Sequence, residues 1–144
     1  MKYSNEILVN LPRSKVVEFF DNSDNLQKWM KGLQSFEHIG GEHGKEGSKS
    51  KLVFDINGRK VEMIETITKR NLPEEFCGTY EAKGVFNIQE NFFKEVEPGK
   101  TMWTTNSEFQ FSGFMKLMGL FMPGAFKKET MKHMQSFKDF VEKA

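Results

Sequence analysis

The chain has 144 residues, of which 38% are hydrophobic and 28% charged, and its formal net charge is +1. This length suits one globular domain over residues 1–144 and leaves no room for a second. Acids and bases are interleaved along the chain, without the basic stripe that phosphate neutralisation requires. The composition therefore argues against a nucleic-acid partner.

Cys77 is the only cysteine, which excludes an internal disulfide and a cysteine-rich zinc site. The N-terminal residues MKYSNEILVN lack the apolar core of a signal peptide, and no run reaches the ~20 apolar residues of a membrane span. We therefore expect a cytoplasmic protein with no transmembrane segment. His38 and His43 lack ligand-spaced partners, so we expect no metal, and the sequence indicates no cofactor.

The first elements are a strand and two short helices. The alternation of polar and apolar residues in MKYSNEILVN predicts a strand. In LPRSKVVEFFD, Pro12 is suited to the start of a helix, because the first turn needs no amide donor. In NSDNLQKWMKG, Asn22 or Ser23 can cap a second helix, and Gly32 can end it in a left-handed conformation.

Six further strands are predicted between Leu33 and Phe111, where the period changes to two and turn signals separate the runs. Asn57-Gly58 is the strongest hairpin signal. Its register predicts cross-strand pairs on one apolar face, namely Ile56 with Arg59, Phe54 with Val61, Leu52 with Met63 and Ser50 with Glu65.

A second hairpin is predicted around Pro98-Gly99, treated as a two-residue turn. The predicted pairs are Val96 with Thr101, Lys94 with Trp103, Phe92 with Thr105, Glu90 with Ser107, Ile88 with Phe109 and Phe86 with Phe111. This register gathers the apolar residues on one face, and a slip of one residue would separate them.

The last segment, Phe126 to Ala144, returns to the helical period and predicts a long amphipathic helix. Before it, FMKLMGLFMPGAFKKE has one charged side chain among its first thirteen residues. These thirteen residues, 114–126, have three interpretations: a flexible opening to a binding cavity, ordinary core, or a contact with a second copy or a partner protein.

The order of strand, two short helices, six strands and a long helix resembles the START-like (SRPBCC) superfamily, in its polyketide cyclase/dehydrase and lipid-transport branch. The residues that carry the resemblance are VNLPRSKVVEFFDNSDNLQKWMKGLQSFEHIGG, GSKSKLVFDING and MQSFKDFVEKA. The resemblance implies an α+β helix-grip fold, in which a curved seven-stranded antiparallel sheet wraps around the C-terminal helix. It also implies a hydrophobic cavity between them. Members bind lipids, sterols or polyketides; some are cyclases or hydrolases, and some are co-chaperones.

The preferred function is therefore non-catalytic binding or carriage of a hydrophobic small molecule. A cyclase- or hydrolase-type enzyme and a co-chaperone-like interaction module are the alternatives. The candidate ligand-binding residues are those expected on the inner sheet face, the final helix and the segment before it. They are Phe54, Met63, Tyr80, Ile88, Glu90, Phe92, Trp103, Thr105, Ser107, Phe109, Met118, Met122, Phe126, Thr130, Met134 and Phe137.

Three titratable residues have two interpretations each. Glu65 and Glu90 interrupt apolar rows, so each is a weak candidate for catalysis with a raised pKa, or else reaches solvent or bonds a neighbouring serine. His133 follows Glu129 at i, i+4 spacing, which favours a partly exposed ion pair over a buried base.

Overall fold

A computed structural model describes residues 1–117 and 123–144, except for the side chain of Pro123. The chain forms one antiparallel sheet in the order β1-β7-β6-β5-β4-β3-β2. Two helices and a 3₁₀ turn connect the first two strands, and a long helix follows the last strand. The predicted α+β helix-grip class is confirmed.

The element bounds follow the predicted order. The strands are β1 (Lys2–Val9), β2 (Leu33–Gly40), β3 (Lys49–Ile56), β4 (Arg59–Asn71), β5 (Glu75–Ala82), β6 (Val85–Glu97) and β7 (Lys100–Phe111). The helices are α1 (Arg13–Phe20), α2 (Leu26–Trp29) and α3 (Pro123–Lys143), with a 3₁₀ turn at Ser23–Asn25. Asn22 caps that turn by accepting a hydrogen bond from the amide of Asp24. Helix α3 begins three residues before the predicted start.

The β3–β4 hairpin has the predicted register, with Phe54 opposite Val61 and Ser50 opposite Glu65. Asn57 and Gly58 both have positive φ, at 53° and 83°. This is the conformation that a type I′ turn requires, so the turn sequence fixes which residues face each other. The inner face of β3 and β4 is therefore as predicted.

The predicted register of the β6–β7 hairpin is wrong by one residue. The turn at Pro98-Gly99 forms, and Glu97 lies opposite Lys100, but Glu95 rather than Val96 lies opposite Thr101. Val96 is thus an extra residue in β6, a bulge that shifts every later pair. Phe93 lies opposite Trp103 and Asn91 opposite Thr105.

The shift reverses the faces of β6. Asn87, Asn91 and Phe93 are buried on the inner face, while Glu90 is exposed on the outer face. Ile88 and Phe92, which were also predicted to face inward, alternate with the buried residues and lie on the outer face. The prediction that Ile88, Glu90 and Phe92 line the concave side is therefore wrong.

The core fills one end of the space between sheet and α3. Phe137, which is 0% exposed, lies between Trp29, Trp103 and Phe20, with ring centroids 4.9, 5.1 and 6.0 Å away. The rings meet edge to face, the arrangement that aromatic quadrupoles prefer. Val141, one turn further along α3, is also buried in this cluster.

Helix α3 is attached to strand β1 by polar contacts along its length. The hydroxyl groups of Tyr3 and Thr130 are 2.7 Å apart, and the amide of Asn5 donates to the carbonyl oxygen of Lys127 at 3.2 Å. Further along, Lys138 Nζ donates to the carbonyl oxygen of Leu8 at 2.6 Å. These contacts fix the height of α3 above the sheet.

Replacing Phe137 with Ala is expected to lower the free energy of unfolding by about 3–5 kcal/mol, because it leaves a void among close-packed rings. Urea denaturation followed by circular dichroism measures the change. Phe114→Ala is the matched control, since Phe114 is 76% exposed and its truncation should cost less than about 0.5 kcal/mol. Equal losses for the two variants would contradict this assignment of the core.

Candidate functional site

A cavity lies between the inner sheet face and α3, beside the Phe137 cluster. It has two compartments with volumes of about 120 and 280 Å³. Five residues line both compartments and mark where they meet. They are Met30, Tyr80, Gln89, Trp103 and His133.

The larger, apolar compartment lies towards the N-terminal half of α3. Among the sequence-predicted residues, it brings together Phe54, Met63, Thr105, Phe109, Phe126, Thr130 and Met134, besides the shared Tyr80 and Trp103. Leu52, Ala82 and Val85 add further apolar surface. A concave, mostly apolar lining with a few polar groups is typical of small-molecule sites.

The smaller, polar compartment lies between α1, α2 and strands β2 to β7. Its wall contains both aromatic rings and side-chain amides. Its lining includes Phe20, Trp29, Phe36, Ser50, Glu65, Arg70, Phe76, Tyr80, Gln89, Asn91, Trp103 and His133. Asp21, His43 and Gly44 line its outer end.

Glu65 is the acidic group of the inner sheet face. Its Oε2 accepts a hydrogen bond of 2.8 Å from the hydroxyl group of Tyr80, the residue opposite it in the β4–β5 ladder. Removal from water raises the pKa of Glu65, and the hydrogen bond from Tyr80 offsets part of that rise. Burial and the nearby carboxyl raise the pKa of Tyr80 well above its usual value, so its hydroxyl stays protonated.

His133 projects from α3 into the cavity wall rather than forming the expected ion pair with Glu129. Its ring centroid is 4.7 Å from that of Trp29, and Glu129 pairs with Lys132 instead. Desolvation lowers the pKa of His133 to about 4, so the imidazole is neutral near neutral pH. The ring is half-buried by area because part of its surface lines the cavity.

Asn91 organises the polar compartment. Its Oδ1 accepts hydrogen bonds from Trp103 Nε1 at 3.0 Å and from Thr105 Oγ1 at 2.8 Å. Its Nδ2 donates to the carbonyl oxygen of Phe76 at 3.2 Å. A buried amide satisfied in this way holds three neighbouring strands and the Trp103 ring in one arrangement.

Several predicted site residues lie elsewhere. Phe137 belongs to the solid core and does not line the cavity, because the rings of α1, α2 and β7 surround it. Ser107 is buried opposite Tyr3 in the β1–β7 ladder, outside the cavity lining. Met118 and Met122 fall outside the described residues. In the same stretch, Phe114 and Leu117 are 76% and 49% exposed, so they are not core.

Sequence reasoning missed three groups of the polar compartment: Gln89, Asn91 and the neutral His133. A signal for the first two was present, since Asn87, Gln89 and Asn91 repeat at the period of a strand. Three amides on one strand face are unusual for a packed core, because each has donors and acceptors that need partners.

No helix in residues 1–117 or 123–144 is long and apolar enough to cross a membrane. Across the same residues, no group of histidine, cysteine and acidic side chains is arranged to hold a metal ion. Cys77 is buried, and burial together with the carboxyl of Glu75 raises its pKa to about 11, so its thiol is a poor nucleophile.

The sheet wrapped around α3 is a helix-grip fold, and solved structures with the same fold include a START superfamily protein. The chain matches Ara h 8.0201 with a TM-score of 0.80 and 13% identity, covering 100% of this chain and 99% of that one. It matches a START superfamily protein from Mycobacterium smegmatis with a TM-score of 0.77 and 12% identity, covering 99% and 97%. The resemblance in fold that the sequence indicated is confirmed.

A third similar structure is the Zhui aromatase/cyclase from a Streptomyces species, with a TM-score of 0.80 and 10% identity over 99% of this chain and 93% of that one. No protein-family model matches the chain, and no curated protein sequence does so either. Identities this low establish the fold and leave the activity to be argued from the cavity itself.

The partly buried, neutral His133 makes the stability of the protein depend on pH. The unfolded chain binds a proton at this residue below about pH 6.5, whereas the folded protein binds it only below about pH 4. Stability rises with pH wherever the unfolded state binds more protons. The free energy of unfolding should therefore fall between pH 6.5 and pH 4, by on the order of 2 kcal/mol from this residue.

Urea denaturation of the wild type and His133→Gln across this pH range tests the prediction. In His133→Gln, the free energy of unfolding should no longer show this part of its dependence on pH. His38→Gln, on the exposed part of β2, should show the same dependence as the wild type. Parallel slopes for the wild type and His133→Gln would show that His133 is not held neutral. Glu65 acts in the opposite direction in all three proteins, since its raised pKa favours folding at lower pH.

Proposed function

We propose that the protein binds a hydrophobic small molecule in the cavity between the sheet and α3. The observation that carries this proposal is the apolar compartment of about 280 Å³, which continues into a polar compartment. A solid core would leave no such space, because protein interiors are normally close-packed. The side chains of Phe109, Phe126 and Met134 form its apolar walls.

Burial of the apolar part of the ligand supplies the affinity. Each ~100 Å² of ligand surface removed from water contributes about 2.5 kcal/mol, before the cost of ordering is subtracted. The polar end of the ligand is oriented by Glu65, Tyr80 and Gln89, which line the polar compartment. Of the polar groups expected from sequence, Thr105 is committed to Asn91, and Glu90 and Ser107 do not reach the cavity.

An enzyme is the second candidate, and the environment of Glu65 favours it. A carboxyl with a raised pKa, hydrogen-bonded to a protonated Tyr80, lies in a compartment that also contains a neutral imidazole. Such pairs perform general acid–base chemistry in other proteins. The likeness in fold to an aromatase/cyclase is compatible with this function.

Incubation of the natural ligand with the protein separates the two functions. The ligand is first identified by native mass spectrometry of protein purified from its own cells, then extracted and returned to the wild type and to Glu65→Gln. A carrier releases it unchanged from both proteins. Conversion to a new species by the wild type, lost in Glu65→Gln with binding retained, would establish the enzyme instead.

Filling the apolar compartment should abolish ligand uptake without unfolding the protein. Ala82 lines this compartment, so Ala82→Trp places an indole where the ligand lies. We expect the affinity for Nile red, an uncharged dye, to fall by about tenfold or more, since each ~1.4 kcal/mol of lost contact is a factor of ten. Dye fluorescence measures the affinity, and circular dichroism checks the fold.

Glu81→Trp is the matched control, because Glu81 is the preceding residue of β5 and is exposed on the outer face. It should bind the dye as the wild type does. Failure of the wild type itself to bind Nile red or any co-purified species would overturn the proposed function.

A further inference from the structure

The polar compartment contains a carboxyl group without a counter-ion. Glu65 Oε2 accepts the hydrogen bond from Tyr80, but Oε1 accepts none from residues 1–117 or 123–144. Arg70 lines the same compartment, yet its two terminal nitrogens bond both oxygens of Asp21, at 2.7 and 2.6 Å. His133 is neutral near neutral pH. Among the described residues that line the compartment, no positively charged side chain is therefore available to pair with Glu65.

Aromatic rings line the compartment that contains this carboxyl group. The Phe20 ring contacts three of them, with centroids 5.7 Å from Phe76, 5.6 Å from Trp103 and 6.3 Å from Trp29. The face of an aromatic ring carries negative electrostatic potential and attracts a cation, most strongly when water is excluded. The rings in the lining are Phe20, Trp29, Phe36, Phe76, Tyr80 and Trp103.

We propose that the ligand is a hydrophobic amine, whose ammonium group occupies the polar compartment with Glu65 as its counter-ion while its apolar body fills the apolar compartment. This inference rests on the proposed function and specifies its ligand. A partly buried carboxylate without a counter-ion is less stable than one in water, and an ammonium group supplies both the missing charge and hydrogen-bond donors for Oε1. An alcohol supplies only a donor, and a carboxylate is repelled by the like charge of Glu65.

Binding of an ammonium group is coupled to the loss of a proton from Glu65. Desolvation raises the pKa of Glu65 and so favours its protonated form, whereas a cationic ligand favours the ionised form. Amine affinity should therefore increase as the pH rises through the pKa of Glu65. It should fall again only where the amine loses its own proton, near pH ~10.

Other titratable groups face the cavity from the surrounding elements and could also contribute to the pH dependence of amine binding. Asp21 and Glu129 have ion-pair partners, Tyr80 stays protonated, and His133 stays neutral above about pH 4. His43, in the β2–β3 connection, is exposed at the outer end of the polar compartment. The pH series is therefore carried out in a His43→Gln background with and without Glu65→Gln, and the difference between the two series gives the contribution of Glu65.

Three probes that differ only in their polar end test the proposal: naphthylethylamine, naphthylethanol and naphthylacetate. Isothermal titration calorimetry near neutral pH should show the amine binding most tightly and the carboxylate most weakly. Glu65→Gln keeps the size of the side chain and an acceptor for Tyr80 but removes the charge. It should weaken amine binding by roughly ten- to hundredfold and leave the alcohol nearly unchanged.

Glu90→Gln is the matched control. It makes the same substitution and changes the net charge equally, but on the outer face of β6, so amine binding should not change. Amine and alcohol affinities that are equal in the wild type, or that fall equally in Glu65→Gln, would overturn the amine inference while leaving hydrophobic binding intact. If none of the three probes binds the wild type, the proposed function itself fails. The comparison of probes in the wild type requires no variant to fold.

Discussion

One extra residue in β6, Val96, determines the chemistry of the inner sheet face. Because Val96 has no partner in β7, each preceding residue of β6 faces the side opposite to the one that continuous pairing would give. Asn87, Gln89 and Asn91 thereby face inward, and Glu90 faces out. The amide of Asn91 then fixes the ring of Trp103, which lines both compartments. The polar compartment thus depends on a bulge at the far end of the hairpin.

The cavity ends where the aromatic core begins. Phe137 is fully enclosed by Phe20, Trp29 and Trp103, and the other sides of these rings line the polar compartment. The same compartment carries groups whose hydrogen-bonding capacity is not fully used within the described chain, such as Oε1 of Glu65. Collapse of the sheet onto α3 would bury these groups without partners, which opposes closure of the space.

The sequence predicts the fold well because its main signals are local. Asn57-Gly58 determines the register of one hairpin through backbone geometry, and the period of Phe126, Thr130 and Met134 determines the inward face of α3. The phase of β6 was predicted wrongly because alternation favours Phe86, Ile88 and Phe92 as the inner set. In a strand that lines a polar cavity, the polar residues face inward and the large apolar residues face outward. His133 was misassigned because Glu129, its expected partner one helical turn away, forms an ion pair with Lys132 instead.

Within the described residues, the hydrogen bonds between α3 and the sheet are all made to β1. Tyr3, Asn5 and the carbonyl of Leu8, all on the edge strand β1, hold the helix. On the opposite side, a crevice runs between α3 and the tip of the β3–β4 hairpin, bordered by Asp55, Asn57, Lys132 and Ser136. Phe54, Met63 and His133 line both this crevice and the apolar compartment, so the cavity approaches the protein surface on the side of α3 that faces away from β1.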